Sequence, residues 1–515
     1  MSAGNSLATV PAPPRSLVYA TWSRPLALSL ALVALLTALR LTGTVDSDVA
    51  WQLWIAQRIH AGSNLYRDII ETNPPLWFWM ALPVDWLASL LHVRIDAVLI
   101  LVIGAASALS LAATDRLTRH VPAGRRTWLL AYAALCLMAM PWMHLGQREQ
   151  IALIGTVPYA ALVAARSQGR AVSPLLAALI GIGAAFGFAL KHYFLLVPAI
   201  LELWLAAGGL RRWRAVRPET TSIAGVGVAY AAAVMLFEPD FLTRIVPLLR
   251  LAYGDVGAPS VRFLFGPFAL AGFAVLVLLA IQAKLLRSKE APFAAALFVA
   301  AAGFTAAYFI QFKGWPYHAI PLVGCASLAL AALLAESSEA PRPLRLIAPA
   351  ALSLPLFLAA QEARGPHLPS PDLLGAVAGL HAGDTVGFVT TETAIPWAVT
   401  LQGRYRYASR YNGFWMMPAI ARNERSAAPD LGLARLGRQI VADTVADFTC
   451  LPPKRIIVWR SRDSGNGSDV LPFFMRDPGF AALLTHYKVR SRTSLETYEL
   501  VSPLPRPTRP CRAGI

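Results

Sequence analysis

Eleven apolar runs of sixteen to twenty residues divide the first 360 positions: 25–42, 95–114, 127–143, 150–165, 174–190, 193–210, 220–237, 264–283, 291–310, 319–335 and 345–360. Each is close to the about 20 apolar residues that carry a helix across about 30 Å of hydrocarbon, so each predicts a membrane-spanning helix. A twelfth stretch, 76–91, is shorter in effect: it contains Pro83 and Asp85, three tryptophans, and is followed by His92, Arg94 and Asp96. It reads as a helix lying in or dipping into the membrane interface. Beyond Gln361 the long runs stop, short alternating pieces at 385–390 and 455–460 predict strands, and 427–448 predicts a helix. The expected fold is a polytopic α-helical membrane protein of about eleven spans with a C-terminal soluble α/β domain. Its divisions are an N-terminal segment 1–24, a membrane module 25–360 with an outer loop at 43–94, and the domain 361–515.

Composition agrees with the pattern and removes several classes. Hydrophobic residues make up 56% of the 515 and charged residues 15%, too apolar for disorder or an ordinary soluble enzyme. The net charge of +17 and pI near 10.1 would suggest nucleic acid in a soluble protein. Here the cations fall at every second connection: Arg116, Arg119, Arg125 and Arg126; Arg166 and Arg170; Arg211, Arg212, Arg214 and Arg217; Lys284, Arg287 and Lys289; Arg342 and Arg345. The positive-inside rule places these connections, with Arg15 and Arg24, in the cytoplasm. The other connections carry Asp46, Asp48, Asp68, Glu71, Glu149, Glu238, Asp240 and Asp255, and share the outer face. The basic charge therefore implies membrane lipids and no nucleic-acid partner. Counting 76–91 as a crossing would turn every later loop over and put the basic loops outside.

With a cytoplasmic start and an odd number of spans, the C-terminal domain lies outside the cytoplasmic membrane. Cys450 and Cys511 can pair there, whereas Cys136 and Cys325 sit in apolar runs, and no C-x-x-C spacing suggests a metal or redox site. The apolar run after Arg24 lacks a small-residue cleavage site and reads as a retained first span.

The first outer loop is chemically dense. Asp46 and Asp48, at i and i+2, can converge on one cation or one substrate hydroxyl. The plainer reading is an N-cap pair opening a helix over 49–60. Trp51, Trp54, Ile55 and Ile59 share a face of that helix, which predicts an interfacial helix with its indoles at headgroup level. A turn at Gly62-Ser63-Asn64 leads to Tyr66, Arg67, Asp68, Glu71, Asn73 and Pro74-Pro75, a polar and rigid rim, since the prolines block further helix.

Later outer connections add Arg148 and Glu149, then Lys191, then Lys313 with Tyr317 and His318. Ionisable groups at membrane depth usually face a cavity or a partner. A lysine beside a lipid-linked phosphate would hold it and stabilise its growing charge; snorkelling beside aromatic anchors is the plain alternative. Arg148 can neutralise phosphate, or pair with Glu149 or headgroups. The loop 238–263 reads as a solvated hairpin, and 403–407 as an edge strand docked on the membrane module.

The sequence of features at 43–80 resembles the first periplasmic loop of GT-C class glycosyltransferases: an acidic site after the first span, an amphipathic helix, a glycine turn, Tyr66-Arg67-Asp68 and then Asn73-Pro74-Pro75-Leu76. The resemblance is to the lipid A aminoarabinose transferase and protein O-mannosyltransferase group; it is looser over the spans and weak in the C-terminal domain. It implies an enzyme that moves a sugar from a polyprenyl-phosphate-linked donor to a glycolipid, lipopolysaccharide, polysaccharide or protein acceptor on the outer face, with inversion. It implies a catalytic role for Asp46, or for Asp48 beside it, with Glu149 orienting acceptor or metal. Donor phosphate and substrate would be held by Lys313, His318, Tyr317, Lys191, Arg148, Arg67 and Glu71, and a divalent metal ion, where used, by Asp46, Asp48 and Glu71. Glu71 stands one residue further from Pro74 than the family pattern has it, which sets its role apart. The rival classes are a lipid-linked oligosaccharide flippase or other transporter, and a scaffold. A transporter places its ionisable groups near the midplane on interrupted helices, and here they gather in outer loops.

Overall fold

The computed structural model describes residues 23–209, 213–255, 261–287, 290–338, 340–364, 369–460, 469–507 and 511. The N-terminal segment up to position 22, with Arg15, and the cations Arg211, Arg212 and Lys289 lie outside the described residues.

Each of the eleven apolar runs is helical. In order they are Arg24–Arg40, Ile95–Leu117, Ala123–Ala134 with its wider continuation Leu135–Ala139, Arg148–Ser167, Pro174–Ala189, Leu196–Ala207, Pro218–Phe237, Pro267–Ile281, Pro292–Gln311, Ile320–Glu336 and Arg342–Glu362. Several start on proline, whose fixed φ and missing N–H suit the first helical position. Ile95–Leu117, Pro218–Phe237, Pro292–Gln311, Pro316–Glu336 and Arg342–Glu362 are long and apolar enough to cross a membrane. Their outward faces carry exposed Leu109, Leu236, Phe237 and Leu346, surface that only lipid covers at low cost. The protein is a membrane protein. Ile320–Glu336 is its central post, with Leu322, Val323, Leu330 and Leu333 all buried.

Polar contacts sort the connections into two ends. At one, Arg126 pairs with Asp115 at 3.1 Å, Arg166 with Glu219 at 2.9 Å, and His120 lies 3.3 Å from Glu336. At the other, Arg67 pairs with Asp240, His144 stands between Asp46 and Glu362, and Lys191 meets Glu149. The stretch at 76–91 forms one helix, Leu76–Leu91. Its 16 residues span about 24 Å, short of the hydrocarbon thickness. Trp77, Phe78 and Val84 face inward while Trp86, Leu90 and Leu91 stay exposed, and Asp85 is held by His60 at 2.6 Å.

The C-terminal part is built on a five-stranded sheet of order β2-β1-β3-β5-β4. The strands are β1 (Thr385–Val389), β2 (Arg406–Tyr407), β3 (Arg455–Trp459), β4 (Tyr487–Arg492) and β5 (Leu495–Leu500). β1 is parallel to β2 and β3; β5 runs antiparallel to β3 and β4. Central β3 is buried on both faces, as its apolar Ile456, Ile457 and Val458 require. The long helix Leu431–Cys450, capped by Asp430, covers the sheet with Ile440, Val441 and Phe448.

Two seams fix this part to the membrane module. Ile70 of the first outer loop donates its N–H to the Arg410 carbonyl at 2.9 Å, and the Arg410 guanidinium is held by Asp443 and Asp447, each at 2.6 Å. The second seam corrects the interfacial reading of the helix Ser47–His60. Trp51 and Trp54 stack at 4.9 Å and lie under Trp397 and Tyr407 of the C-terminal part, at 4.9–5.7 Å for the Trp397 pairs and the Trp54–Tyr407 pair. Positions 49 to 56 are all buried, so this stretch, with both indoles, has no face left for lipid headgroups.

Cys450 and Cys511 are joined by a disulfide across a separation of 61 residues. Closing a loop of that size restricts the unfolded chain by about 4 kcal/mol at most. Cys450→Ser should lower the thermal midpoint of the purified protein by several degrees, measured with and without reductant; the reductant should shift only the unsubstituted chain.

Candidate functional site

A cavity of ≈1070 Å³ opens where the first outer loop, the helix ends and the C-terminal part meet. Its polar wall is Asp48, Gln52, Glu71, Arg148, Lys191, Lys313, Tyr317 and His318. Its apolar side includes Val234, Met235, Leu242 and Val246, and the C-terminal part closes it with Thr391, Glu392, Asn412 and Trp415.

The helix Ser47–His60 separates the two aspartates. Asp46 is its N-cap and accepts from the Asp48 N–H at 2.7 Å. Its other contacts are His144 Nδ1 at 2.9 Å and Gln147 Nε2 at 3.3 Å. His144 reaches on through Nε2 to Glu362 at 3.1 Å. Burial alone would pull the His144 imidazole down, but its bonds to Asp46 and Glu362 outweigh it and push the group up to about 10. Asp46 is thus a cap held by a cation. Asp48, two positions on, lines the cavity and accepts from the Tyr317 hydroxyl at 3.1 Å. Burial, and then the neighbouring Asp46 charge, push its carboxyl up to about 6, against the pull of Arg148 and Tyr317.

Arg148 opens the helix Arg148–Ser167. A cation there opposes the positive end of the helix dipole, and the site adds a further anomaly: Arg148 is 5% exposed, and its Nε and Nη1 have no hydrogen-bond partner among the described residues. Gln52 Oε1 and His318 Nδ1, on the same wall, are orphaned too. Buried polar atoms are normally paired, so these three side chains leave unspent hydrogen-bonding capacity on one cavity wall. The turn before Arg148 needs its glycine: Gly146 has φ +90°, and a Cβ there would lie 2.9 Å from Leu99. Its carbonyl accepts from the Trp77 indole at 3.0 Å.

Lys191 donates to Glu149 at 2.6 Å and to Gln311 at 2.9 Å, and lies 3.1 Å from His318 Nε2. Burial lowers its pKa, offset by Glu149. Glu149 is itself fully buried and does not line the cavity. It stands behind Lys191, a charge partner for the wall. Lys313, lowered by burial, sits over the Tyr253 ring at 4.6 Å.

Glu71 is buried on the cavity edge, where the Trp51 indole and the Asn73 amide and N–H, at 2.6 and 2.7 Å, all donate to it. Tyr66, at φ 69°, turns the chain into this loop and anchors it by its hydroxyl to the Asn73 carbonyl at 2.7 Å. Arg67 points away, paired with Asp240 and 60% exposed, outside the cavity. Asp46 and Glu71 are thus each committed to donors. Among the described residues no three His, Cys, Asp or Glu side chains are grouped to hold a metal ion, so the donor set for a divalent ion is incomplete.

Seven of the ten residues the sequence nominated line the wall or its edge; Asp46 and Glu149 belong to its backing, and Arg67 to the surface. Sequence reasoning missed Gln52, one turn beyond Asp48 on the same helix, and Tyr253, Glu392 and Asn412, which stand on elements brought in from afar. It also missed the bridging of His144, whose only signal was its place in a polar turn between two apolar runs.

No family model matches the chain, and no curated protein matches it in sequence. Solved structures do. The architecture is that of the GT-C class of membrane glycosyltransferases. The chain superposes on ArnT from Cupriavidus metallidurans, determined with undecaprenyl phosphate bound, with a TM-score of 0.53 at 12% identity, over 92% of this chain and 97% of that one. The archaeal oligosaccharyltransferase AglB from Archaeoglobus fulgidus, in complex with an inhibitory peptide and a dolichol-phosphate, matches at a TM-score of 0.44 and 13% identity, over 92% of this chain and 74% of that one. The shared property is the fold.

Proposed function

We propose that the protein is a glycosyltransferase that moves a sugar from a polyprenyl-phosphate-linked donor to an acceptor hydroxyl on the outer face of the cytoplasmic membrane. The observation that carries this is one chamber holding a half-buried carboxylate of raised pKa, Asp48, beside a buried guanidinium, Arg148, whose Nε and Nη1 lack a partner among the described residues. The carboxylate suits proton removal near neutral pH, and the guanidinium suits phosphate. The apolar side of the same chamber, lined by Val234, Met235 and Leu242, suits a prenyl chain.

In the proposed reaction the acceptor oxygen forms a bond to the anomeric carbon as the bond from that carbon to the phosphate oxygen breaks. The acceptor proton passes to Asp48, and the electron pair leaves with the polyprenyl phosphate. Arg148 meets the growing phosphate charge with Lys313 nearby, while Lys191, already paired with Glu149, holds His318 and the wall in place. Direct displacement inverts the anomeric centre and needs no covalent intermediate on the enzyme.

Membranes carrying the protein, given a radiolabelled polyprenyl-phosphate sugar, should transfer label to envelope lipid, glycan or protein; absence of transfer with every donor in membranes that hold folded protein would refute the reading. Protonated Asp48 cannot accept a proton, so the rate should fall about tenfold per pH unit below about 6 and level off above it, read as a pH–rate profile.

We also propose eleven crossings with the C-terminal domain outside, which the disulfide supports because such bonds persist in oxidising compartments. Alkaline phosphatase fused after Gln361 should be active; inactive fusions there would reverse the placement.

A further inference from the structure

A second cavity, of ≈740 Å³, lies at the end of the helices opposite the reaction chamber, between Ala123–Ala134 and Arg342–Glu362, against the last turn of Ile320–Glu336. Arg125 and Arg345 stand at its mouth, and Trp128, Tyr132, Leu352 and Leu356 run along its depth.

The arginines at this end fall into two groups, and Arg125 and Arg345, like Arg116, Arg119 and Arg342, belong to the exposed one. Arg126, Arg166 and Arg217, at the same end, are all tied to carboxylates, and Arg170 donates to the Leu117 carbonyl. Arg125 and Arg345 are exposed, and their guanidinium groups have no hydrogen-bond or ion-pair partner among the described residues. Behind them the slot is apolar. The hydroxyls beside its apolar stretch are spent, that of Tyr132 on the Leu352 carbonyl at 2.9 Å and that of Ser353 on the Pro349 carbonyl. The eleven-residue step from Arg345 to Leu356 covers about 16 Å along the helix, half of the about 30 Å hydrocarbon core and so the depth of one leaflet. Trp128, Pro349 and Ser353 are exposed along its edge, which leaves the slot reachable sideways from lipid.

We propose that this groove is a binding site for an anionic glycerophospholipid of the leaflet opposite the reaction chamber, its phosphate at Arg125 and Arg345 and one acyl chain along Trp128 and Leu352. Paired cations favour a net negative headgroup over a zwitterionic one, and the aromatic Trp128 belongs at the level where headgroup meets chain. The site is separate from the sugar-transfer chamber and does not depend on that chamber's assignment.

The test uses the full-length protein, stripped of lipid in detergent, titrated with dioleoyl phosphatidylglycerol or dioleoyl phosphatidylcholine and read by native mass spectrometry. The expected result is a first binding event that prefers phosphatidylglycerol and weakens roughly 25-fold in the R125A/R345A double variant, about fivefold per lost cation. Both arginines are exposed, so the variant should keep its fold and thermal midpoint. An R125K/R345K variant should retain most of the preference, since a membrane phosphate is also met by a point charge. Equal binding of the two lipids, or a phosphatidylglycerol preference that survives in R125A/R345A, would overturn the proposal.

Discussion

Asp48→Asn should lower sugar transfer by about 10²–10⁴-fold, the range ordinarily lost with a general base, while donor binding persists. The substitution keeps the shape and the acceptor oxygen for the Tyr317 hydroxyl, so the fold has no reason to change; only the proton acceptor is gone. Asp46→Asn is the informative companion. Asparagine also caps helices well, so the start of Ser47–His60 survives, but the ion pair to His144 does not. Its loss should cost thermal stability and a smaller factor in rate. Asp46→Asn abolishing transfer with Asp48→Asn still active would move the base to Asp46. The measurements are the turnover rate and donor KM of each variant beside its melting temperature.

Arg148→Ala should raise the donor KM and lower kcat together, by about 10²-fold or more in kcat/KM, because a buried charge-assisted bond to phosphate contributes about 1.5–3 kcal/mol and strengthens as the leaving group gains charge. Arg148→Lys should recover little, since a point charge cannot present the two donors that stand unpaired in the wall. A second readout separates this from general damage. Arg148 is one of the groups that hold the Asp48 carboxyl down, so its removal should move the acid limb of the pH–rate profile to higher pH. A variant with reduced rate and an unmoved acid limb would show that the two side chains do not share a site.

Much of the fold was legible because bilayer physics writes it in one dimension. The run 95–114 became Ile95–Leu117 and the run 345–360 became Arg342–Glu362, since a chain in hydrocarbon has few alternatives to helix. The strands at 385 and 455 and the cap at Asp46 were equally local signals. What could not be read were relations between distant positions. The indoles of Trp51 and Trp54 fit a lipid interface by composition; that Trp397 and Tyr407 come to cover them depends on a packing some 350 residues away in sequence. The choice between Asp46 and Asp48 was open for the same reason. One residue caps and the other faces the cavity, a distinction set by where a helix begins and by His144 and Tyr317 arriving from other elements.

The four-ring seam of Trp51, Trp54, Trp397 and Tyr407 limits how this protein can be recombined. Gln361 invites a cut, with hydrophobic spans before it and a sheet after. A chimera spliced there would mate foreign side chains to these indoles and would also exchange Glu392, Asn412 and Trp415, which close the chamber. The two halves pack as one unit, so portability requires that the helix Ser47–His60 travel with the C-terminal half that covers it.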